Sequence, residues 1–100
     1  MELWYNYRNM EIKDLQLKIK ESGQQMTNPF KSSSEICLAI TEEMGEVAQE
    51  VALLEKIGTK VGWEKEPNKD RLAKEISQLL NCIITLANHY EIDLGKEFEK

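Results

Sequence analysis

Three observations in the sequence predict an all-α fold. No stretch alternates apolar and polar residues for long enough to form a strand. Three long segments instead repeat apolar side chains every three or four residues, which is typical of amphipathic helices. Both prolines, Pro29 and Pro67, fall in the connections between these segments, where they favour turns. The pattern predicts a helical bundle of three long helices and a short C-terminal one.

The first helix is predicted from about Met10 to Ser22, and Gly23 directly after it is a stop signal. Residues 1–9 are rich in aromatic side chains but show no clear period, so they are interpreted as an N-terminal arm or a helical extension. The apolar stripe of the helix consists of Ile12, Leu15 and Ile19.

The second helix is predicted from near Ser34 to about Lys56. Ser32 and Glu35 have the spacing of a capping box, in which two residues satisfy each other's free backbone amides at the start of a helix. Gly58 follows the helix as a stop signal.

The third helix is predicted from about Asp70 to Tyr90 and is the most apolar of the set, and residues 91–100 begin a short fourth helix. A chain of 100 residues supports one domain, here spanning residues 1–100. A chain of this size buries only about 60–65% of its unfolded surface. We therefore expect oligomerisation to complete the bundle, as a homodimer or a dimer of dimers.

The composition limits the classes of partner. The net charge is −5 and the pI is near 4.9, so binding to nucleic acid or to an anionic membrane, which needs a basic patch, is not expected. No apolar run reaches the roughly 18 residues of a membrane span, and the first residues do not read as a secretion signal. We expect a cytoplasmic protein in which Cys37 and Cys82 are small buried side chains rather than a disulfide.

The segment TEEMGEVAQE, residues 41–50, places four glutamates in a helix built for a core. At about 100° per residue, Glu43, Glu46 and Glu50 fall within the apolar stripe, and Glu42 lies at its edge. Like charges one turn apart disfavour a helix by about 0.2–0.5 kcal/mol per pair, and burying an unpaired carboxylate costs several kcal/mol. Basic side chains, protonation or a divalent cation must compensate these charges.

The third helix adds an acid to the same place. Glu75 lies on its apolar face, so antiparallel packing of the second and third helices would bring Glu43, Glu46 and Glu75 together. Three carboxylates without histidine or thiolate suit Mg²⁺ or Mn²⁺ better than zinc or copper. The alternative interpretation is a solvated face or ordinary salt bridges, with Lys56, Lys60, Lys69 or Lys74 as partners.

Two segments, ITEEMGEVAQEV and LAKEISQLLNCIITLANHYEIDL, resemble the MazG-like family of all-α nucleoside triphosphate pyrophosphohydrolases. Members of that family carry an ExxE pair on one helix and an ExxD pair on a later one. Glu43 and Glu46 match the first pair. Glu75 and Gln78 stand where the second pair belongs, with 28 residues between Glu46 and Glu75. The resemblance covers about residues 10–97.

Gln78 departs from the family pattern, because an aspartate stands at that position in the family. The amide oxygen can still ligate Mg²⁺ or hold a metal-bound water, but it adds no charge, so weaker metal affinity is expected. Either the enzyme works with a weaker site, with help from Glu42 or Glu50, or the chain is a degenerate member without turnover.

The resemblance implies Mg²⁺-dependent hydrolysis of (deoxy)nucleoside triphosphates to monophosphates and pyrophosphate in nucleotide-pool cleaning, with Mn²⁺ as a possible substitute. It implies Glu43, Glu46 and Glu75 as metal ligands and catalytic residues, and Gln78 as a weak fourth ligand. Glu50 or Glu42 is a candidate for orienting or deprotonating the attacking water. Candidate substrate contacts lie after the second helix, where solvated or packing roles are the alternative: Lys56, Lys60 and Lys65 for phosphate, and Trp63 for the base.

Two other functions stay open. The first is a non-catalytic helical module that binds nucleotide or assembles with a partner through a degenerate metal site. The second is a phosphoribosyl-ATP pyrophosphohydrolase, which shares the helical plan but matches the sequence less well. A divalent cation needed for turnover at Glu43, Glu46 and Glu75 would favour the enzyme, and lysines inside the acidic cluster would favour the module.

Overall fold

A computed structural model of the chain describes residues 10–24, 29–30, 32–58 and 66–100. These ranges contain four helices and no strand, so the all-α prediction is confirmed. The predicted ends of the three long helices differ from the observed ones by one or two residues. The helices are α1 (Ile12–Gln24), α2 (Ser33–Glu55), α3 (Lys69–His89) and α4 (Leu94–Glu99).

Side-chain caps fix where three of the helices begin. The Ser32 hydroxyl accepts a hydrogen bond from the Glu35 amide at 3.2 Å, which confirms Ser32 as the N-cap of α2. The Asn68 side chain accepts from two amides of the first turn of α3, at 2.8 and 3.1 Å. Asp93 caps α4 by accepting from the Lys96 amide at 3.1 Å. Each cap satisfies amides that have no partner inside their own helix.

The positions of the glycines do not determine where the helices end. The predicted stop at Gly23 is wrong, because α1 continues through it to Gln24, and a glycine this close to a helix end costs only about 1 kcal/mol relative to alanine. After α2 and α3 the chain instead turns on Lys56 and Glu91, both left-handed, with φ of 56° and 57°. Gly58 also has a positive φ of 85°, but it follows the turn at Lys56.

The same hydrogen bond closes both of these turns. The Ile57 amide donates to the Ala52 carbonyl at 2.9 Å, and the Ile92 amide donates to the Ala87 carbonyl at 2.9 Å. A bond of this span around one left-handed residue is the Schellman motif, which usually has glycine at the left-handed position.

Helices α2 and α3 form the main packing interface, and α1 packs on α3 and α4. The buried apolar side chains of the described residues are few: Ile36, Leu53, Ile84 and Ala87. Gln16 of α1 adds a polar connection, because its amide nitrogen donates to Asn88 Oδ1 at 2.9 Å and to the Ile92 carbonyl at 2.8 Å. In return, Asn88 Nδ2 donates to the backbone carbonyl of Gln16 at 2.9 Å.

Helices α2 and α3 each carry a second apolar stripe, which faces solvent. Met44 on α2 is 54% exposed and Ile76 on α3 is 48% exposed. Neighbouring members of each stripe are three, four or seven residues apart, which places them on one face of the helix and suits packing against another helix. Cys37 belongs to the α2 stripe, so its expected burial is wrong, whereas Cys82 is partly buried and both thiols are free. The α2 stripe is Cys37, Met44, Ala48 and Val51, and the α3 stripe is Ala73, Ile76, Leu80 and Ile83.

No helix in the described part of the chain combines the length and the apolar character needed to cross a bilayer.

Candidate functional site

Three glutamates from two helices meet at the α2–α3 interface, and we call them the acid cluster: Glu43, Glu46 and Glu75. One carboxylate oxygen from each lies within 4.8 Å of those of the other two. Glu43 and Glu46 share a face of α2 because three residues make nearly one helical turn. Glu75 approaches from α3. The convergence predicted from the sequence is therefore present in the structure.

The acid cluster is partly shielded from water. Glu43 and Glu75 are half-buried, whereas Glu46 is exposed. The Oε2 atoms of Glu43 and Glu75 are inaccessible to solvent and accept no hydrogen bond in the described structure. A buried polar atom without a partner costs about 1–3 kcal/mol, and more when it carries charge. The cluster thus has two shielded oxygen atoms whose capacity to accept a hydrogen bond or to bind a cation is unused in the described structure.

Burial and the close approach of the other carboxyl groups raise the proton affinity of Glu43 and Glu75. Burial and the neighbouring Glu46, with a smaller contribution from Glu42, raise the pKa of Glu43. The pKa of Glu75 is raised first by a hydrogen bond with Glu46 and then by burial and by the charges of Glu46, Glu43 and Glu50. These causes act in the same direction for both groups, so the fully ionised cluster is disfavoured unless a cation or a proton neutralises part of its charge.

A basic side chain compensates Glu50 but not the acid cluster. The ion pairs within the described residues are Arg71–Glu50 and Lys100–Glu97, and neither involves a member of the cluster. Glu50 is only 4% exposed, and its Oε1 accepts from Arg71 Nε at 2.8 Å. The candidate role of Glu50 at the attacking water is therefore not supported, because its carboxylate is already paired. The described lysines considered as partners are exposed and pair with no acid of the cluster: Lys56, Lys69 and Lys74.

Arg71 was not singled out by the sequence analysis. It precedes Glu75 by four residues and therefore lies on the same face of α3, which is a signal that could have identified it. Its pairing with Glu50 depends on the alignment of two helices, which periodicity alone does not give.

The alignment of α2 and α3 also locates Gln78. Glu46 on α2 lies opposite Glu75 on α3. Glu50, four residues later on α2, lies opposite Arg71, which is four residues earlier on α3. The helices are therefore antiparallel, and the same register places Gln78 at the level of Glu43. The Gln78 side chain is exposed and has no hydrogen-bond partner among the described residues. It lies at the right level for a fourth ligand.

The candidate substrate contacts lie farther away or outside the described residues. Lys60, Trp63 and Lys65 are outside them. Lys56 is exposed and left-handed just after α2, about 15 Å from Glu46 along the helix axis at 1.5 Å per residue. Glu42 is exposed on α2 and carries no ion pair within the described ranges.

The chemistry of the acid cluster fits a hard divalent cation. It offers carboxylate oxygens alone, two of them shielded and unpartnered, and Mg²⁺ and Mn²⁺ prefer such ligands. The nearby Cys82 thiol is a poor ligand, because burial and then the charge of Glu43 raise its pKa and keep it protonated.

Comparisons of the chain with protein-family models, with curated proteins and with solved structures found no match.

Proposed function

We propose that the protein is a nucleoside triphosphate pyrophosphohydrolase that depends on Mg²⁺, with Mn²⁺ as a substitute. The observation that carries the proposal is the acid cluster: three convergent carboxylates, two unpartnered buried oxygens and no basic partner among the described side chains. The MazG-like spacing of Glu43, Glu46, Glu75 and Gln78 supports the same conclusion.

In this proposal Glu43, Glu46 and Glu75 hold the cation, and Gln78 offers its amide oxygen at the level of Glu43. When bound, the cation neutralises charge on the phosphate oxygens and makes a water molecule more nucleophilic. Hydrolysis breaks the anhydride bond between the α and β phosphates, and water supplies the oxygen and hydrogen atoms that complete the two products. The products are a nucleoside monophosphate and pyrophosphate, as expected for nucleotide-pool cleaning.

The side chains of the cluster provide binding and orientation rather than covalent chemistry. Glu43 and Glu75 are held by opposite helices, so their oxygens keep their positions when the ligand arrives. Glu46 is exposed and completes the cluster on its open side. Glu42, also exposed, is the remaining candidate for accepting a proton from water, because Glu50 is paired with Arg71.

A second subunit is part of the proposal. Only four apolar side chains of the described residues are buried, while α2 and α3 each expose a second apolar stripe. We therefore propose a homodimer, or a dimer of dimers, in which these stripes pack together. A cavity of about 300 Å³ in the described part of the chain lies between α1 and the α3–α4 turn, away from the cluster, so the walls of a nucleotide pocket are expected from the partner.

A non-catalytic binding or assembly module is the second candidate. It is favoured by Gln78, which removes one charge from the family's metal site, and by the exposed stripes, which suit assembly. A phosphoribosyl-ATP pyrophosphohydrolase ranks below both, because the MazG-type spacing is the better match.

Pyrophosphate release separates these candidates. Standard and modified nucleoside triphosphates, together with phosphoribosyl-ATP, would be incubated with the protein in Mg²⁺, in Mn²⁺ and in chelator. The matched variants are Glu43→Gln, inside the cluster, and Glu55→Gln, an exposed residue of the same helix. Metal-dependent release that Glu43→Gln loses and Glu55→Gln keeps supports the proposal. No release by folded, oligomeric protein favours the module.

A further inference from the structure

Arg71 joins three segments of the chain beside the acid cluster. Its Nε donates to Glu50 Oε1 on α2 at 2.8 Å, and its Nη2 donates to the Glu66 carbonyl in the connection before α3 at 2.7 Å. Arg71 is itself part of α3, and its side chain is 28% exposed. A single guanidinium thus ties α2 and the connection to the first turn of α3.

The Arg71–Glu50 pair lies one helical turn from the acid cluster on both helices. Glu50 follows Glu46 by four residues on α2, and Arg71 precedes Glu75 by four on α3. Such a spacing places side chains about 5–6 Å apart on one face of a helix. Glu50 is close enough to contribute to the raised pKa of Glu75, after the larger effects of Glu46, burial and Glu43. Without Arg71, the cluster would gain a fourth uncompensated negative charge.

We propose that Arg71 and Glu50 form a positioning pair, which fixes the register of α2 against α3 so that Glu43, Glu46 and Glu75 present their oxygens to one cation. This inference rests on the proposed metal-dependent function. The pair also keeps Glu50 from competing for the cation, because its Oε1 atom is engaged by the guanidinium. Neither residue contacts the substrate or the cation in this account.

The geometry explains why an arginine is required. The guanidinium directs Nε and Nη2 in a fixed planar fork, and here the two atoms serve acceptors on different segments. A lysine ammonium carries all three of its N–H donors on one nitrogen atom, so it cannot reproduce the two separate donor atoms that reach Glu50 and the Glu66 carbonyl. Arg71→Lys therefore keeps the charge and loses the positioning.

The decisive variant is Arg71→Met combined with Glu50→Leu. Replacing both partners of a buried ion pair by apolar residues of similar size is often neutral or stabilising, whereas removing one partner leaves an uncompensated buried charge and is strongly destabilising. The double variant is thus expected to fold, and it adds no charge near the cluster. Lys74→Met, an exposed residue of α3 without an ion pair, is the control for loss of a surface cation.

The experiment measures Mn²⁺ binding to full-length protein by electron paramagnetic resonance, with thermal unfolding recorded for every sample. We expect the double variant and Arg71→Lys to bind Mn²⁺ about tenfold more weakly, as is typical for loss of groups that support metal ligands. Lys74→Met should bind like the wild type. A purely structural pair would change the melting temperature but leave the Mn²⁺ affinity unchanged.

Two results would overturn the proposal in different ways. If the wild type binds Mn²⁺ and the double variant binds it with an affinity within twofold of the wild type, the positioning role is wrong and the metal site stands. If the double variant does not fold, Arg71→Lys takes its place in this comparison. If the folded wild type binds no Mn²⁺, the proposed function fails and the positioning pair fails with it.

Discussion

Glu46 on α2 and Glu75 on α3 bring carboxylate oxygens within 4.8 Å of each other across the main helix interface, although both side chains are acidic. One turn farther along, Glu50 meets Arg71 at 2.8 Å in the same interface. Glu46 and Glu75 are therefore a pair of like charges, whereas Glu50 and Arg71 are a pair of opposite charges. The Glu50–Arg71 pair is compensated within the interface, whereas the Glu46–Glu75 pair has no basic partner among the described side chains.

Removing one charge from the acid cluster should stabilise the metal-free protein. We expect Glu75→Gln to raise the melting temperature in chelator at neutral pH by a few degrees, because repulsion with Glu43 and Glu46 is relieved. The same variant should lose most of the stabilisation that Mg²⁺ gives the wild type, because a ligand stabilises a protein by binding its folded state and not its unfolded state. Thermal unfolding with and without Mg²⁺ measures both effects.

Glu55→Gln is the matched control for this prediction. It makes the same change at an exposed position of α2 outside the cluster, so the melting temperature and its response to Mg²⁺ should stay as in the wild type. A lower melting temperature for Glu75→Gln in chelator would contradict the repulsion that we infer.

The stability of the metal-free protein should fall as the pH rises through the pKa values of the cluster. The pKa values of Glu43 and Glu75 are raised in the folded state above their ordinary value of 4.5. Below pH 4.5 both states are protonated at these groups. As the pH rises, the unfolded state ionises first, so the free energy of unfolding decreases until the folded state has ionised as well.

This pH dependence is isolated by difference. Urea unfolding of the wild type and of the Glu43→Gln/Glu75→Gln variant, in chelator at a series of pH values, should give curves that diverge as the pH increases above 4.5. Saturating Mg²⁺ at neutral pH should restore stability to the wild type alone. A difference that stays constant with pH would show that the two carboxyl groups have ordinary pKa values.

Restoring the fourth acid should strengthen the metal site. Gln78 lies at the level of Glu43, so Gln78→Asp places a new charge beside the cluster. A unit charge about 4 Å from a cation contributes about 1 kcal/mol in water and about 4 kcal/mol near a protein surface, before desolvation. We expect the Mn²⁺ affinity to increase about tenfold, which corresponds to about 1.4 kcal/mol.

Ser77→Asp tests whether this gain depends on position. It adds the same charge to α3 at an exposed neighbouring residue that points away from the cluster face. Its effect on Mn²⁺ affinity, measured by electron paramagnetic resonance, should stay within about twofold of the wild type because solvent and salt screen the added charge. Equal gains in both variants would exclude Gln78 as a neighbour of the bound cation.

The turn after α3 offers a stabilising substitution. Glu91 has a φ of 57°, a conformation that costs a residue with a side chain about 1–2 kcal/mol and glycine almost nothing. After allowing for the greater freedom of glycine in the unfolded chain, Glu91→Gly should stabilise the protein by about 0.5–1 kcal/mol. Chemical denaturation measures the gain, and Glu91→Ala, which keeps the strain, should show none.

The exposed stripe of α3 should be needed for oligomerisation. Ile76 and Leu80 are 48% and 44% exposed in the single chain, and a charge at either position would be buried without a partner in a helix interface. We expect Ile76→Glu and Leu80→Glu to shift the protein to monomer in size-exclusion chromatography with light scattering. Phe98→Glu, at an exposed residue of α4, should leave the oligomer intact, and a monomeric wild type would contradict the proposed dimer.

Periodicity was sufficient to predict the helices and the convergence of Glu43, Glu46 and Glu75. Both depend on spacing within one segment and on antiparallel packing of the two most regular helices. The start of α2 was also predictable, because Ser32 acts on an amide only three residues away. These features are local, or follow from one simple packing assumption.

Features that depend on how two segments meet were not predictable. The Arg71–Glu50 pair requires the register of α2 against α3, which the sequence does not specify. The turns at Lys56 and Glu91 use non-glycine residues in a conformation that normally favours glycine. The surroundings of these residues, rather than their own preferences, determine their conformation.

The most direct test of the account is to follow deoxynucleoside triphosphate turnover by ³¹P nuclear magnetic resonance, with Mg²⁺ and with chelator, for the wild type, Glu75→Gln and Glu55→Gln. We predict equal amounts of monophosphate and pyrophosphate from the wild type and Glu55→Gln in Mg²⁺, and no turnover in chelator or with Glu75→Gln. Turnover that persists in folded Glu75→Gln, or its absence in the folded wild type across all substrates, would contradict the assignment of the acid cluster as a catalytic metal site.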